Sequence, residues 1–101
     1  MADRPGIALA LQAFTLLVPR IVIYTTQWCR FCIRAKALLD ARELDFDEVS
    51  LDADAAFRQR VWDLGRQWTV PLVVIDGDPI GGYQELAALD RSGLLAERLA
   101  A

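Results

Sequence analysis

The apolar positions of this chain fall into short runs whose period changes from one element to the next. Ile21-Val22-Ile23-Tyr24-Thr25 is apolar and β-branched almost throughout, the pattern of a strand buried on both faces. A short polar turn follows, and the period then becomes helical. Phe31, Ala35, Leu38 and Leu39 fall at i, i+4, i+7 and i+8, with Arg30, Arg34 and Asp40 off that face. The spacing predicts a helix to about Arg42. Asp47 to Leu51 predicts a second strand, with Val49 and Leu51 alternating against Glu48 and Ser50. Asp52 or Asp54 is placed to cap a helix through about Leu64, with Phe57, Val61 and Leu64 as its inward stripe and Gly65 as its stop.

Leu72 to Ile75 predicts a third strand, and Asp76-Gly77 is a tight-hairpin signal leading to a short strand near Ile80. Gly81-Gly82 breaks the chain again. Leu86 and Leu89 mark a last helix, Ser92-Gly93 interrupts it, and Leu95 and Leu99 resume its apolar face. The opening order of strand, helix, strand and helix argues for a parallel pair joined by a right-handed crossover. The whole predicts a three-layer α/β domain over residues 20–101, βαβαββα, with a four-stranded mixed sheet and helices on both faces. A chain of 101 residues forms one such domain and needs no structural disulfide or metal to bury its core.

Residues 1–19 stand apart. Positions 7 to 18 are mostly apolar, yet they fall short of the roughly 20 residues that span a bilayer. A secretory signal is not favoured: Arg4 is paired with Asp3, and the Ala8-x-Ala10 pair sits inside the apolar run rather than after it. The expectation is a short amphipathic helix or apolar arm ending before Pro19, with a frayed leader as the alternative. The formal charge is −3 with no basic block, which argues against nucleic acid as a partner. A cytoplasmic monomer that does not engage membranes is expected. Ten of the eleven basic residues are Arg, and Ala and Leu are abundant, a bias typical of GC-rich genomes.

The chemistry lies in Cys29-Arg30-Phe31-Cys32. Cys29 falls at the first turn of the predicted helix, where unpaired backbone N–H groups and the positive end of the helix dipole favour a thiolate. Cys32 lies one turn on, on the same side, within reach of a small disulfide ring. Half a zinc site and a pair of inert core thiols are the competing readings. Zinc takes four ligands, however, and this chain has two cysteines and no histidine. The strand–turn–helix context therefore favours a two-cysteine redox site with no metal.

Tyr24-Thr25-Thr26-Gln27-Trp28-Cys29-Arg30-Phe31-Cys32, then Thr69-Val70-Pro71, then Gly81-Gly82-Tyr83-Gln84-Glu85-Leu86 together resemble the glutaredoxins over about Ile21 to Leu99. The resemblance implies a thioredoxin-like fold and reduction of protein disulfides and glutathione mixed disulfides. It makes Cys29 the nucleophile and Cys32 the resolving thiol, and it implies a cis peptide before Pro71, facing the cysteines. Glutathione is then a co-substrate and no cofactor is held permanently. The backbone of Val70 would pair with the extended tripeptide. Thr69 and Pro71 set that edge, Gly82 allows close approach, and the N–H groups of Tyr83 and Gln84 suit an anionic carboxylate. Glu85 stands where family members often carry an Asp for the ligand's α-amino group, or is simply an acid at a helix N-terminus.

This chain also departs from the family pattern. Arg30-Phe31 replaces the Pro-Tyr of many dithiol members, adding a cation beside Cys29. Thr26 stands where a lysine is frequent and Trp68 where an arginine is common, leaving Arg66 or Gln67 for a glycine carboxylate. Three alternatives follow. The Thr25-Thr26-Gln27-Trp28-Cys29 run is also similar to mycoredoxins, which serve mycothiol. A missing proline after Cys29 admits a [2Fe-2S] cluster shared by two chains and two small thiols. A redoxin devoted to ribonucleotide reductase is a third reading, which Gly81-Gly82-Tyr83-Gln84-Glu85 fits less well.

Overall fold

The computed structural model describes residues 20–100. The expected arm over 1–19 lies outside the described residues. Four strands and four helices follow in the order β1 (Ile21–Thr25), α1 (Arg30–Ala41), β2 (Asp47–Ser50), α2 (Phe57–Gly65), β3 (Leu72–Ile75), β4 (Asp78–Gly81), α3 (Tyr83–Arg91) and α4 (Leu94–Ala100). The sheet order is β2-β1-β3-β4. β1 pairs parallel with β2, Tyr24 opposite Val49, and antiparallel with β3, Ile23 opposite Val73. β3 and β4 form the antiparallel hairpin.

Strand periodicity sorts the core onto the two faces of this sheet. Ile21, Ile23, Val73 and Ile75 pack on one face with Ala35 and Leu39 of α1, Leu86 of α3 and Leu95 of α4. Leu72 points the other way, into a smaller cluster with Leu51 and Val61, joined by Tyr24, Phe57, Val70 and Val74. The three-layer thioredoxin-like arrangement expected from the sequence is therefore present, with α1, α3 and α4 on one face and α2 on the other. Burying β1 on both faces fixes the strand whose end delivers the cysteines.

Four local expectations are corrected. All four residues of β2 are exposed, Val49 included, because β2 is an edge strand and its apolar neighbour Leu51 reaches the core only just beyond it. Neither Asp52 nor Asp54 caps α2, which begins at Phe57 after an uncapped Ala56. Asp54 instead accepts from the Ala56 N–H in the preceding turn, and Leu64 ends up 40 % exposed. Gly65 is the last helical residue rather than the stop. The left-handed residue there is Arg66 (φ 59°), and glycine is needed because a Cβ at 65 would lie 2.6 Å from Leu72 Cδ1. The Asp76-Gly77 turn behaves as expected, with positive φ at both residues.

Charged clamps tie the elements at their ends. Arg20 binds Asp76 through two N–H···O contacts of 2.8 Å and also donates to the Leu99 carbonyl, joining the hairpin to the C-terminal end of α4. Arg42 grips Asp90 in the same two-pronged way, linking α1 to α3. Arg20 holds the Asp76 carboxyl below its ordinary range, and Arg42 does so for Asp90. Asp54 is lowered by the Ala56 N–H and then Arg60, and Glu48 by the Thr25 hydroxyl and then Lys36. Each carboxylate titrates lower folded than unfolded, so its contribution is present above about pH 4 and is lost as pH falls through the folded values. The thermal midpoint should stay level from neutrality to about pH 5 and fall below about pH 4. Asp90→Asn should flatten that fall in a pH series of melting curves; an unchanged profile would show the clamp to be idle.

Candidate active site

The site begins where β1 ends. Between Thr25 and Cys29 the chain makes a tight turn, and Trp28 takes a left-handed conformation with φ 60°. The turn is held from outside: the Gln27 N–H donates to Asp52 Oδ1 at 2.6 Å, and Asp52 Oδ2 accepts from the Ser50 hydroxyl. Cys29 then serves as the N-cap of α1. Its sulfur accepts from the Cys32 N–H at 3.1 Å, taking the place of the Ser, Thr or Asp oxygen usual at this position. The negative end of that contact is therefore a sulfur, on the side of the helix where the dipole stabilises negative charge.

Cys29 is half-buried, while Cys32 is 2 % exposed and lies behind it on α1. The two are joined as a disulfide, with Cα atoms 5.1 Å apart. Across from them, the Val70 carbonyl oxygen lies 3.7 Å from Cys29 Sγ. The Val70–Pro71 peptide is cis, in line with the expectation from the sequence. Gln67 secures this loop from behind: its side-chain amide donates to the carbonyls of Thr69 and Pro71 at 2.6 and 3.0 Å.

Two clefts flank Cys29. One, of about 180 Å³, is formed by Phe31, Thr69, Val70, Pro71, Gly82, Tyr83, Gln84 and Glu85. It gathers eight of the residues singled out in the sequence from three separate segments. Gly82 caps α3, so Tyr83 and Gln84 carry first-turn N–H groups that lack intrahelical acceptors. Glu85 Oε1 accepts from the Gly82 N–H at 2.8 Å, the helix-capping role that was one of its two readings. The Phe31 and Tyr83 rings lie 6.1 Å apart along one wall, with the Arg34 guanidinium over Phe31.

The second cleft, of about 440 Å³, opens on the other side and includes Thr26, Trp28, Cys29, Cys32, Ile33, Lys36, Glu48 and Asp52. Thr26 thus sits away from the Val70 side. Arg30 is exposed on the first turn of α1. Gln67 spends its amide on the loop. Trp68 stacks on Trp62 at 4.6 Å with planes 8° apart, and Arg66 lies over the same indole at 5.6 Å. Asp52 was missed as a site residue because its contact with Gln27 spans 25 positions and has no local signature. Among the described residues no group of three or more histidines, cysteines or carboxylates is placed to hold a metal ion. No helix among them is long and apolar enough to cross a membrane.

The family model for glutaredoxins matches residues 21–80, which carry both cysteines and the cis-proline loop. The chain belongs to the glutaredoxin family. A glutaredoxin of Pseudomonas aeruginosa is 40 % identical over 84 residues, covering 83 % of this chain and all of the relative. Glutaredoxin 3 of Escherichia coli is 41 % identical over 73 residues, covering 72 % of this chain and 88 % of its own. Among solved structures, a buckwheat glutaredoxin in complex with glutathione superposes with a TM-score of 0.74 at 29 % identity, covering 95 % of this chain and 94 % of that one. In this glutaredoxin the Val70–Pro71 loop touches the Cys29 sulfur and, with Phe31 and the start of α3, forms the neighbouring cleft.

The Gln67 clamp makes a measurable claim. Gln67→Ala removes two neutral hydrogen bonds and should cost about 1–2 kcal/mol in urea denaturation. Disulfide-reducing turnover should fall, while alkylation of Cys29, set by α1, should stay within twofold. Unchanged stability and turnover would show that the amide does not hold the loop.

Proposed function

We propose that this glutaredoxin reduces glutathione mixed disulfides and protein disulfides, with Cys29 as nucleophile and Cys32 as resolving thiol. The observation that carries the reading is the asymmetry of the pair: Cys29 is accessible and caps a helix, and Cys32 is buried one turn behind it. A thiolate is the attacking species in disulfide exchange, and the helix end favours it on Cys29. The Cys29 thiolate attacks one sulfur of the substrate disulfide, forming a mixed disulfide and releasing the other half as a thiolate that takes up a proton. Cys32, deprotonated, attacks Cys29 Sγ, releases the second half and leaves the Cys29–Cys32 disulfide. Two molecules of glutathione then return both electrons and leave as oxidised glutathione.

The cleft beside Val70 suits the tripeptide. Its extended backbone would pair with the Val70 N–H and C=O, which requires no particular side chain. Its γ-glutamyl carboxylate would meet the free N–H groups of Tyr83 and Gln84, with the outer oxygen of Glu85 left for the α-amino group. The glutathione complex of the buckwheat relative supports this choice of thiol. With Trp68 stacked on Trp62 and Gln67 engaged, Arg66 is the cation this stretch leaves for the glycine carboxylate, and its guanidinium lies over the Trp62 ring. The enzyme acts as a cytoplasmic monomer with no resident cofactor.

Single cysteine variants test the division of labour. Cys32→Ser should keep most turnover on a glutathione mixed disulfide, because external glutathione can resolve Cys29, and should lose most activity on a protein disulfide. Cys29→Ser should lose both. Equal loss from the two variants on the mixed disulfide would mean that the roles are misassigned. Turnover with mycothiol and none with glutathione would replace the glutathione assignment.

A further inference from the structure

We propose that the Trp28 indole, with Ile33 beside it, is the docking contact for the polypeptide around a protein disulfide, and so determines specificity for proteins over small disulfides. The proposal rests on the reading of Cys29 as nucleophile. Trp28 is 93 % exposed and adds almost nothing to the core. Its φ of 60° lies in the left-handed region, where a bulky side chain is disfavoured and glycine is at ease. The turn is imposed by its surroundings, since Asp52 fixes the preceding Gln27 N–H. A large apolar side chain at this position thus strains the backbone and contributes little to the fold. Residues held this way are concentrated at functional sites.

The position of the indole names its partner. Trp28 precedes Cys29 and borders the cleft opposite the Val70 side, where Ile33 is 62 % exposed. A small peptide thiol is accommodated by the Val70, Pro71 and Tyr83 side alone. A protein disulfide must bring its sulfur to Cys29 with chain continuing on both sides of its cysteine, and that chain has to cross the Trp28 side as well. An apolar side chain next to the substrate cysteine would lie on the indole and Ile33. Lys36, Glu48 and Asp52 in the same cleft are already engaged with one another or with Thr25, Gln27 and Ser50, so the indole and Ile33 are the apolar contacts this side offers. Rigid exposed aromatics are the usual anchors of such contacts.

The test is single-turnover reduction by the reduced enzyme with no small thiol present, so it does not depend on which thiol serves the enzyme. Insulin is the protein probe and 2-hydroxyethyl disulfide the small one. Trp28→Ala should slow insulin reduction about tenfold and change the small-disulfide rate less than twofold; Trp28→Phe should recover most of the insulin rate. Trp28→Gly should be as slow as the alanine variant on insulin yet melt roughly 4 °C higher than the wild type, because the left-handed turn is relieved. Equal loss on both probes would mean that Trp28 acts through Cys29, and an unchanged insulin rate would mean that it does not dock substrate; either overturns the proposal. A lower melting point for Trp28→Gly would make the indole structural and overturn it too. A wild type that reduces neither probe removes the proposed function itself.

Discussion

Cys29 closes a loop and caps a helix with the same atom, and the molecule is organised to keep that sulfur where it is. A helix end presents N–H groups without intrahelical acceptors, and here one of them, from Cys32, points at Cys29 Sγ. The contact has value only if α1 cannot shift along its axis. Ala35 and Leu39 lock α1 against Ile21, Ile23 and Val73 in the larger core cluster, and Arg42 fastens its far end to Asp90. The loop before the cysteine is pinned by Asp52, and the loop opposite by Gln67. Two segments 41 positions apart, the turn that opens α1 and the Val70–Pro71 loop, are thereby held against one sulfur.

Much of this was legible in the amino-acid order, and the physics explains which parts. Buried strands and amphipathic helices declare themselves by period, so β1, α1, β3 and the Asp76-Gly77 hairpin were readable from local residues. The two cysteines, the Thr69-Val70-Pro71 stretch and the Gly81-Gly82 break were equally local, and eight of the residues they pointed to now line one cleft. Long-range features were not readable. Nothing near Asp52 says that its carboxylate will meet Gln27, and nothing near Gln67 says that its amide will turn inwards. Whether Val49 is covered depends on where β2 falls in the sheet, and only the assembled strand order decides that. Gly65 looked like a helix stop by residue type, when its real constraint is the approach of Leu72.

The two clefts beside the disulfide also differ in what they offer. On the Val70 side the groups offered are largely backbone: the edge of the cis-proline loop and the first turn of α3. Backbone groups of this kind pair with a main chain and make no demand on particular side chains. On the other side the surface is made of side chains, and these differ from one chain to another far more readily than backbone does. Trp28 belongs to that second surface.

Everything proposed for this site depends on the charge state of Cys29. The most direct measurement is the rate of iodoacetamide alkylation of Cys29 against pH in the reduced Cys32→Ser protein, where one thiol remains. A sulfur held at the N-terminus of α1 should titrate at least one unit below a free thiol, whose midpoint is about 8.5. A midpoint at about 8.5 would contradict the claim that the helix end activates this cysteine.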